Sequence, residues 1–331
     1  MNQTLQQICD LQIENEEIVK KASFLQYGEM VKLGALFYTS EKLEADEEKI
    51  RECKEILKKK TGVLSNFRGN MEYALQIKMA MASDPEAYLD NIISIYNRLV
   101  EGRKLPGEIL VMTAITIYER SKDEDIDAII AKTKEMYAEM RSAHKVLTDE
   151  TDMSFIALMV MSGKDVEKSV KEVEELYLAL KEKYRMPSDS AQAAAFILSM
   201  SGKTTEQKVD DYVSLYQKLK ESKHGTSKGK AMLIYAAFAD LDVSSDTLIE
   251  EIGEVDTWLK KQKSYGMLSI SSDVRKVLAA TLVLQQYRSD DKAALTAEAS
   301  SIVSQVIAEE IILTIIMMIV ISMSVHASMS H

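Results

Sequence analysis

MSGKDVEKSVKEVEELYLALKEKYRMPSD (residues 161–189) and MSGKTTEQKVDDYVSLYQKLKESKHGTSK (residues 200–228) align without a gap, and 12 of the 29 positions are identical. The same register recurs outside this pair. An aliphatic residue followed by an aromatic one stands at Ile95-Tyr96, Met136-Tyr137, Leu176-Tyr177, Leu215-Tyr216 and, more loosely, Thr257-Trp258, so successive aromatics lie 41, 40, 39 and 42 residues apart. Self-similarity at a period near 40 residues is the signature of a repeat array, in which no unit buries its apolar face alone.

Each unit divides into two helices of different character. Val166, Val170, Val173, Tyr177 and Leu180 advance by four and three residues along one helical face, while Lys168, Lys171, Glu172, Glu175 and Glu182 occupy the other, which describes an amphipathic outer helix. After Pro187, the stretch AQAAAFILSM from Ala191 is apolar on nearly every side and reads as an inner helix buried between neighbours. Its counterparts are EILVMTAITIY from Glu108, DMSFIALMVM from Asp152, KAMLIYAAFA from Lys230 and VLAATLVLQQY from Val277. Ala114, Ala157, Ala194, Ala236 and Ala280 let such helices approach closely.

Local signals mark the helix ends. Asp84-Pro85 reads as an N-cap and first helical residue, Thr204 with Gln207 and Ser121 with Glu124 have the capping-box spacing, and Gly163 and Gly202 stand where a left-handed residue closes an inner helix. The connections come out at two to six residues. The predicted fold is therefore all-α: an α-solenoid of about six two-helix repeats over residues 51–287, capped by helices in residues 1–50. No Gly-, Pro- or Ser-rich linker interrupts residues 1–300, so they read as one domain, followed by an apolar segment in residues 301–331.

Composition agrees. The 331 residues include only 12 Gly and 3 Pro, too little turn chemistry for a sheet protein, whereas 46% hydrophobic and 28% charged residues suit a large core. Lys plus Arg number 41 against 52 Asp plus Glu, a net charge of −11 that excludes a general nucleic-acid binder and favours a basic partner. Cys9 and Cys53 are too few for a disulfide framework, and Met1 to Glu17 has neither the basic nor the apolar region of a secretory signal, so the expected location is cytoplasmic. IILTIIMMIVISMSV, Ile311 to Val325, is shorter than the roughly 20 residues that span a bilayer. It leaves three readings open: a helix packed on the protein or on a second copy, a membrane anchor, or an unpacked tail.

No motif identifies a reaction. His144, His224, His326 and His331 form no metal-ligand pattern, and no phosphate-cradling glycine loop or nucleophile elbow occurs, so no metal and no cofactor is expected. Asp123-Glu124-x-x-Asp127 has a magnesium-binding spacing but no acidic counterpart on another helix, and reads as an acidic first helical turn. Tyr96, Tyr137, Tyr177, Tyr216 and Trp258 read as packing anchors of the repeat. Arg68, Asn70, His144 and Asp152 are polar residues outside the repeating pattern, where a binding site can be grafted. Arg68 can hold a carboxylate or phosphate in two-pronged fashion, with Asn70 and His144 as neighbours. The competing reading gives Arg68, Asn70 and Asp152 helix-end roles.

FRGN, Phe67 to Asn70, together with IREC from Ile50, TGVLSNFRGN from Thr61 and MYAEMRSAHKVLTDETD from Met136 to Asp152, resembles a bacterial, mostly Firmicute family of domains of unknown function, number four thousand and three. The resemblance covers roughly residues 1–300 and implies an all-helical cytosolic protein, with no activity attached. Members of that family tend to end in an Ala-rich apolar tail, where this chain has Ile and Met.

The leading functional expectation is a non-enzymatic helical scaffold that binds a protein or peptide on its groove. Two alternatives are an all-helical ligand-binding protein or enzyme with a polar pocket near Arg68 and His144, and a membrane-associated scaffold held by Ile311 to Val325. That segment is also a route to a homo-oligomer.

Overall fold

The computed structural model describes residues 1–23, 28–69, 71–104, 106–121, 125–143, 148–163, 165–225, 233–239, 241, 243–266 and 269–289. Among them there are 14 α-helices and no strand: α1 (Gln3–Ala22), α2 (Gly28–Ser40), α3 (Glu47–Lys60), α4 (Glu72–Met81), α5 (Pro85–Val100), α6 (Leu110–Arg120), α7 (Ile126–Ala143), α8 (Met153–Met161), α9 (Val166–Leu178), α10 (Ser188–Met200), α11 (Thr205–Ser222), α12 (Leu233–Ala236), α13 (Ser245–Lys261) and α14 (Ser272–Ser289). The all-α expectation holds. Ile311 to Val325 lies outside the described residues, among which no helix is long and apolar enough to cross a membrane.

The helices form two compact units. The first comprises Glu14–Val170; the second comprises Met1–Ile13 and the described residues of Lys171–Ile311. Within the first unit α3 packs on α4 and α5, α5 on α6 and α7, α4 on α2 and α5, and α8 on α6 and α7. Within the second, α11 packs on α12 and α13, α12 on α10 and α14, and α13 on α14.

Burial follows the sequence pattern. Helix α8 is buried from Met153 through Met159, α6 from Leu110 through Ile117, and Ala191, Ala194, Ala195 and Phe196 of α10 are 0% exposed. On α9 only the stripe containing Val173, Leu176 and Tyr177 is buried, as an amphipathic helix requires. Three buried lysines among the described residues keep charge partners, and Lys32 pairs with Glu16 at 3.1 Å in the first unit. Lys78 pairs with Glu119 at 2.8 Å in the first unit, and Lys208 pairs with Glu172 in the second.

The predicted caps are met at Asp84, whose side chain accepts from Ala87 N with Pro85 at the first position, and at Thr204 and Gln207, which cap each other reciprocally. Gly163 is left-handed, with φ +74°. Four local expectations fail. Ser121 does not open α7; its N–H closes α6 by donating to Ile117 O at 2.9 Å, and Asp125 Oδ1 accepts from Asp127 N and Ala128 N instead. Gly202 is not left-handed, because Ser201 leaves α10 in an extended conformation with its N–H still bonded to Leu198 O. Of KAMLIYAAFA from Lys230, the described helical part is only Leu233–Ala236. Nor are all connections short: residues 61–71, 101–109 and 144–152 separate α3 from α4, α5 from α6 and α7 from α8.

Candidate functional site

The first and third of those connections hold the sequence-predicted polar residues, and the structure shows what binds the three connections to one another. Phe67 is buried edge-on against Tyr96, with centroids 4.9 Å apart, and Asn66 donates to both the Tyr96 hydroxyl and Pro106 O. A Cβ on Gly69 would overlap the Glu108 carboxylate, and one on Gly107 would overlap that of Glu150. Glu150 accepts from Gly107 N at 3.0 Å and pairs with Arg103, whose guanidinium lies 5.5 Å from the Tyr137 ring centre. Carboxylates therefore fill the spaces that two glycines leave open.

Arg68 pairs with Glu72 one turn ahead at 3.3 Å, and its N–H donates to Ser65 O. Asp152 is buried, with Oδ2 accepting from Asp149 N at 3.1 Å in a reciprocal cap around a single 3-10 turn. Each has a partner inside its own connection, and residues 101–109 touch both connections. Asn70 and His144 lie outside the described residues, as do Asp123 and Glu124, while Asp127 pairs with Arg98 at 2.7 Å. Among the described residues no group of three His, Cys, Asp or Glu side chains is arranged to hold a metal ion.

The aromatic series sits on α5, α7, α9, α11 and α13 and is not uniform. Tyr96, Tyr137 and Tyr177 are buried, and their hydroxyls accept from Asn66, Arg141 and Lys181 respectively. Burial raises the Tyr96 phenol above its usual range, against the opposing pull of the Asn66 hydrogen bond. Tyr216 and Trp258 are only half-buried. Packing consumes the first three rings and leaves part of the indole free.

Each unit has a cleft with space for a partner. In the first unit a cleft of about 470 Å³ runs between the N-terminal turns of α3 and α5, lined by Asp46, Glu48, Glu52, Asp84 and Glu86 with one cation, Lys49. That ammonium is already bound to Ala82 O at 2.7 Å. Asp46 and Asp84 are there because helix starts favour carboxylate caps, and the bare N–H groups of two helices moderate the repulsion. Glu48, Glu52 and Glu86 are exposed and have no capping role, and Glu86 pairs with Lys60 at 3.2 Å.

In the second unit an open cleft of about 570 Å³ follows one face of α13, where Ile249, Glu250, Gly253, Glu254, Trp258 and Lys261 line it. His224 borders it, and its Nδ1 lies 2.9 Å from Oδ2 of buried Asp256, whose Oδ1 accepts from Arg275 Nε at 2.7 Å. Sequence reasoning missed this chain. His224, Asp256 and Arg275 belong to three different elements, and no local spacing announces their meeting.

The family model described as "Protein of unknown function (DUF4003)" matches residues 15–323. Neither the curated proteins nor the solved structures contain a significant match to the chain. A match over that span carries the assignment: the chain belongs to the DUF4003 family of unknown function.

Proposed function

We propose that this protein is a non-enzymatic helical-repeat scaffold that holds a basic segment of another protein in the acidic cleft between α3 and α5. The architectural support is the alternation of amphipathic and buried helices: in the first unit α3 packs on α5, α5 on α7, α2 on α4 and α6 on α8, and in the second α11 packs on α13, α10 on α12 and α12 on α14, as helix pairs of a solenoid would. The observation that carries the choice of partner is electrostatic. Five carboxylates line one cleft whose single lysine is engaged elsewhere, and of these Glu86 is partly neutralised by Lys60 at 3.2 Å, in a chain of net charge −11. Lys and Arg side chains of an incoming segment would neutralise that field and be steered to it at low ionic strength.

The test uses a fluorescent 12-residue Arg/Lys peptide and its Glu-substituted counterpart, followed by anisotropy. Neutralising Glu48, Glu52 and Glu86 together to Gln should weaken binding of the basic peptide by at least about tenfold. Neutralising Glu135, Glu139 and Glu175, exposed carboxylates outside the cleft, should change it less than about twofold. Equal losses from the two sets would mean diffuse attraction to an acidic surface and would remove the cleft as the binding site.

A further inference from the structure

The positions on the exposed face of α13 are spaced symmetrically about its middle, with opposite charges at its two ends. Glu250, Gly253, Glu254, Thr257, Trp258 and Lys261 are spaced by threes and fours on one side, so the face is acidic at its N-terminal end, aromatic near the middle and basic at its C-terminal end. Laid antiparallel against its own copy about a two-fold axis, this face brings Glu250 to Lys261, Gly253 to Trp258 and Glu254 to Thr257, and the symmetry makes each pairing twice. Opposite charges meet at both ends, and the indole meets Gly253 and the His224 ring that lies over it.

We propose that α13 is a self-recognition surface at which a second copy of this chain docks antiparallel. The half-buried Trp258 supplies the apolar anchor such an interface needs, and aromatic residues in the centre of an interface carry much of its energy. At Gly253 the His224 ring closes in to 3.2 Å from where a Cβ would stand, so the surface offered to the partner's indole there is the imidazole lying over the glycine. The Asp256–Arg275 pair holds the imidazole in place from below. Glu254 already pairs with the Met1 amino group at 2.6 Å, which removes the like-charge contact that two Glu254 side chains would otherwise make near the axis. The opposite alignment, parallel, would set Glu250 against Glu250 and Lys261 against Lys261 and is disfavoured. A single helix pair buries less than the roughly 1,200 Å² of a standard interface, so the dimer is weak and dependent on concentration.

Sedimentation of the full chain from about 1 to 200 μM tests this, with emission of Trp258, the only tryptophan in the sequence, read in parallel. The expected result is a monomer–dimer equilibrium whose dimer arm shifts the emission to the blue. Glu250→Lys alone and Lys261→Glu alone should each weaken the dimer at least about tenfold, while both together restore it. An equimolar mixture of the two single variants should associate, since each then presents the charge that the other lacks. Both positions are exposed, so the variants fold. A chain that stays monomeric throughout the range overturns the proposal. So does a dimer whose strength is unaffected by either single reversal, which would place self-association elsewhere, or a double variant that fails to recover.

Discussion

Arg275 on α14 reaches Asp256 on α13 with Nε 2.7 Å from Oδ1, and both side chains are largely removed from solvent, at 11% and 6% exposure. A carboxylate so placed is stable only while it is paired, because losing one partner strands the other charge in a poorly hydrated site. Asp256→Ala should therefore destabilise the protein by about 3–5 kcal/mol in urea unfolding. Asp256→Leu combined with Arg275→Met should lose clearly less than either single change, since no charge is left behind. If the pair of substitutions is as damaging as the sum of the singles, the two groups are not coupled as the geometry indicates.

The buried and amphipathic helices should respond differently to truncation. Phe196, 0% exposed on α10, is surrounded by packed atoms, and Phe196→Ala should cost about 3–5 kcal/mol. Glu175 on α9 has a side chain 54% exposed, and Glu175→Ala should change stability by less than about 0.5 kcal/mol. Comparable losses at the two positions would contradict the layer assignment.

Gly163 and Gly202 occupy the same register of the two aligned segments, yet only Gly163 has a positive φ, at +74°. Gly163→Ala forces a Cβ into the left-handed region and should destabilise by about 1–2 kcal/mol. At Gly202 nothing stands within 4 Å of an added Cβ, so Gly202→Ala should stabilise by about 0.4–1 kcal/mol through the unfolded chain. Thermal melts of the two variants decide it, and opposite signs are expected.

These cases show what a sequence can and cannot announce. Val173 and Tyr177, Asp84 before Pro85, and Thr204 with Gln207 are legible because helical periodicity and capping are local, involving residues at most four apart. Ser121 and Gly202 were misread because capping signals compete: Asp125 offers a better acceptor to the α7 start, and an extended Ser201 ends α10 without a left-handed residue. The aromatics fall on α5, α7, α9, α11 and α13, but the difference between buried Tyr96 and half-buried Trp258 is not local, because it depends on what packs above each ring. The acidic cleft joins carboxylates from the starts of α3 and α5, and the His224–Asp256–Arg275 chain joins three elements. Both exist only once the helices are packed.

Cys9 and Cys53 predict how stability falls in alkali. Burial pushes the Cys9 thiol from 9.0 up to about 12, with a smaller contribution from Asp10, and the Cys53 thiol up to about 11. Because the folded values are raised, the folded state retains protons that the unfolded chain releases first. The stabilisation is whole below about pH 9 and declines as pH rises toward about 11 for Cys53 and 12 for Cys9. Denaturation midpoints measured between pH 7 and 10.5 should fall less steeply in a Cys9→Ala, Cys53→Ala protein than in the native one. An unchanged slope would show that neither thiol is held neutral by the fold.

The FRGN segment yields the most specific structural test, because Gly69 and Glu108 occupy one space. A methyl group on residue 69 would overlap the Glu108 carboxylate, and the chain there is held by Phe67 against Tyr96 and by Asn66 on Pro106 O, so it cannot retreat freely. Gly69→Ala should destabilise by about 1 kcal/mol or less, because the obstacle is the end of a flexible, half-buried side chain that can turn aside. Removing the obstacle should remove the loss: in a Glu108→Ala background, Gly69→Ala should be close to neutral, which gives a coupling energy of order 0.5–1 kcal/mol in a double-mutant cycle. Arg68→Ala, which breaks only the local pair with Glu72, should lose about 1 kcal/mol or less. If Gly69→Ala is harmless in both backgrounds while Arg68→Ala is severe, the connection is organised around the guanidinium rather than around the approach of Glu108 to Gly69, and Arg68 would then have a partner beyond Glu72.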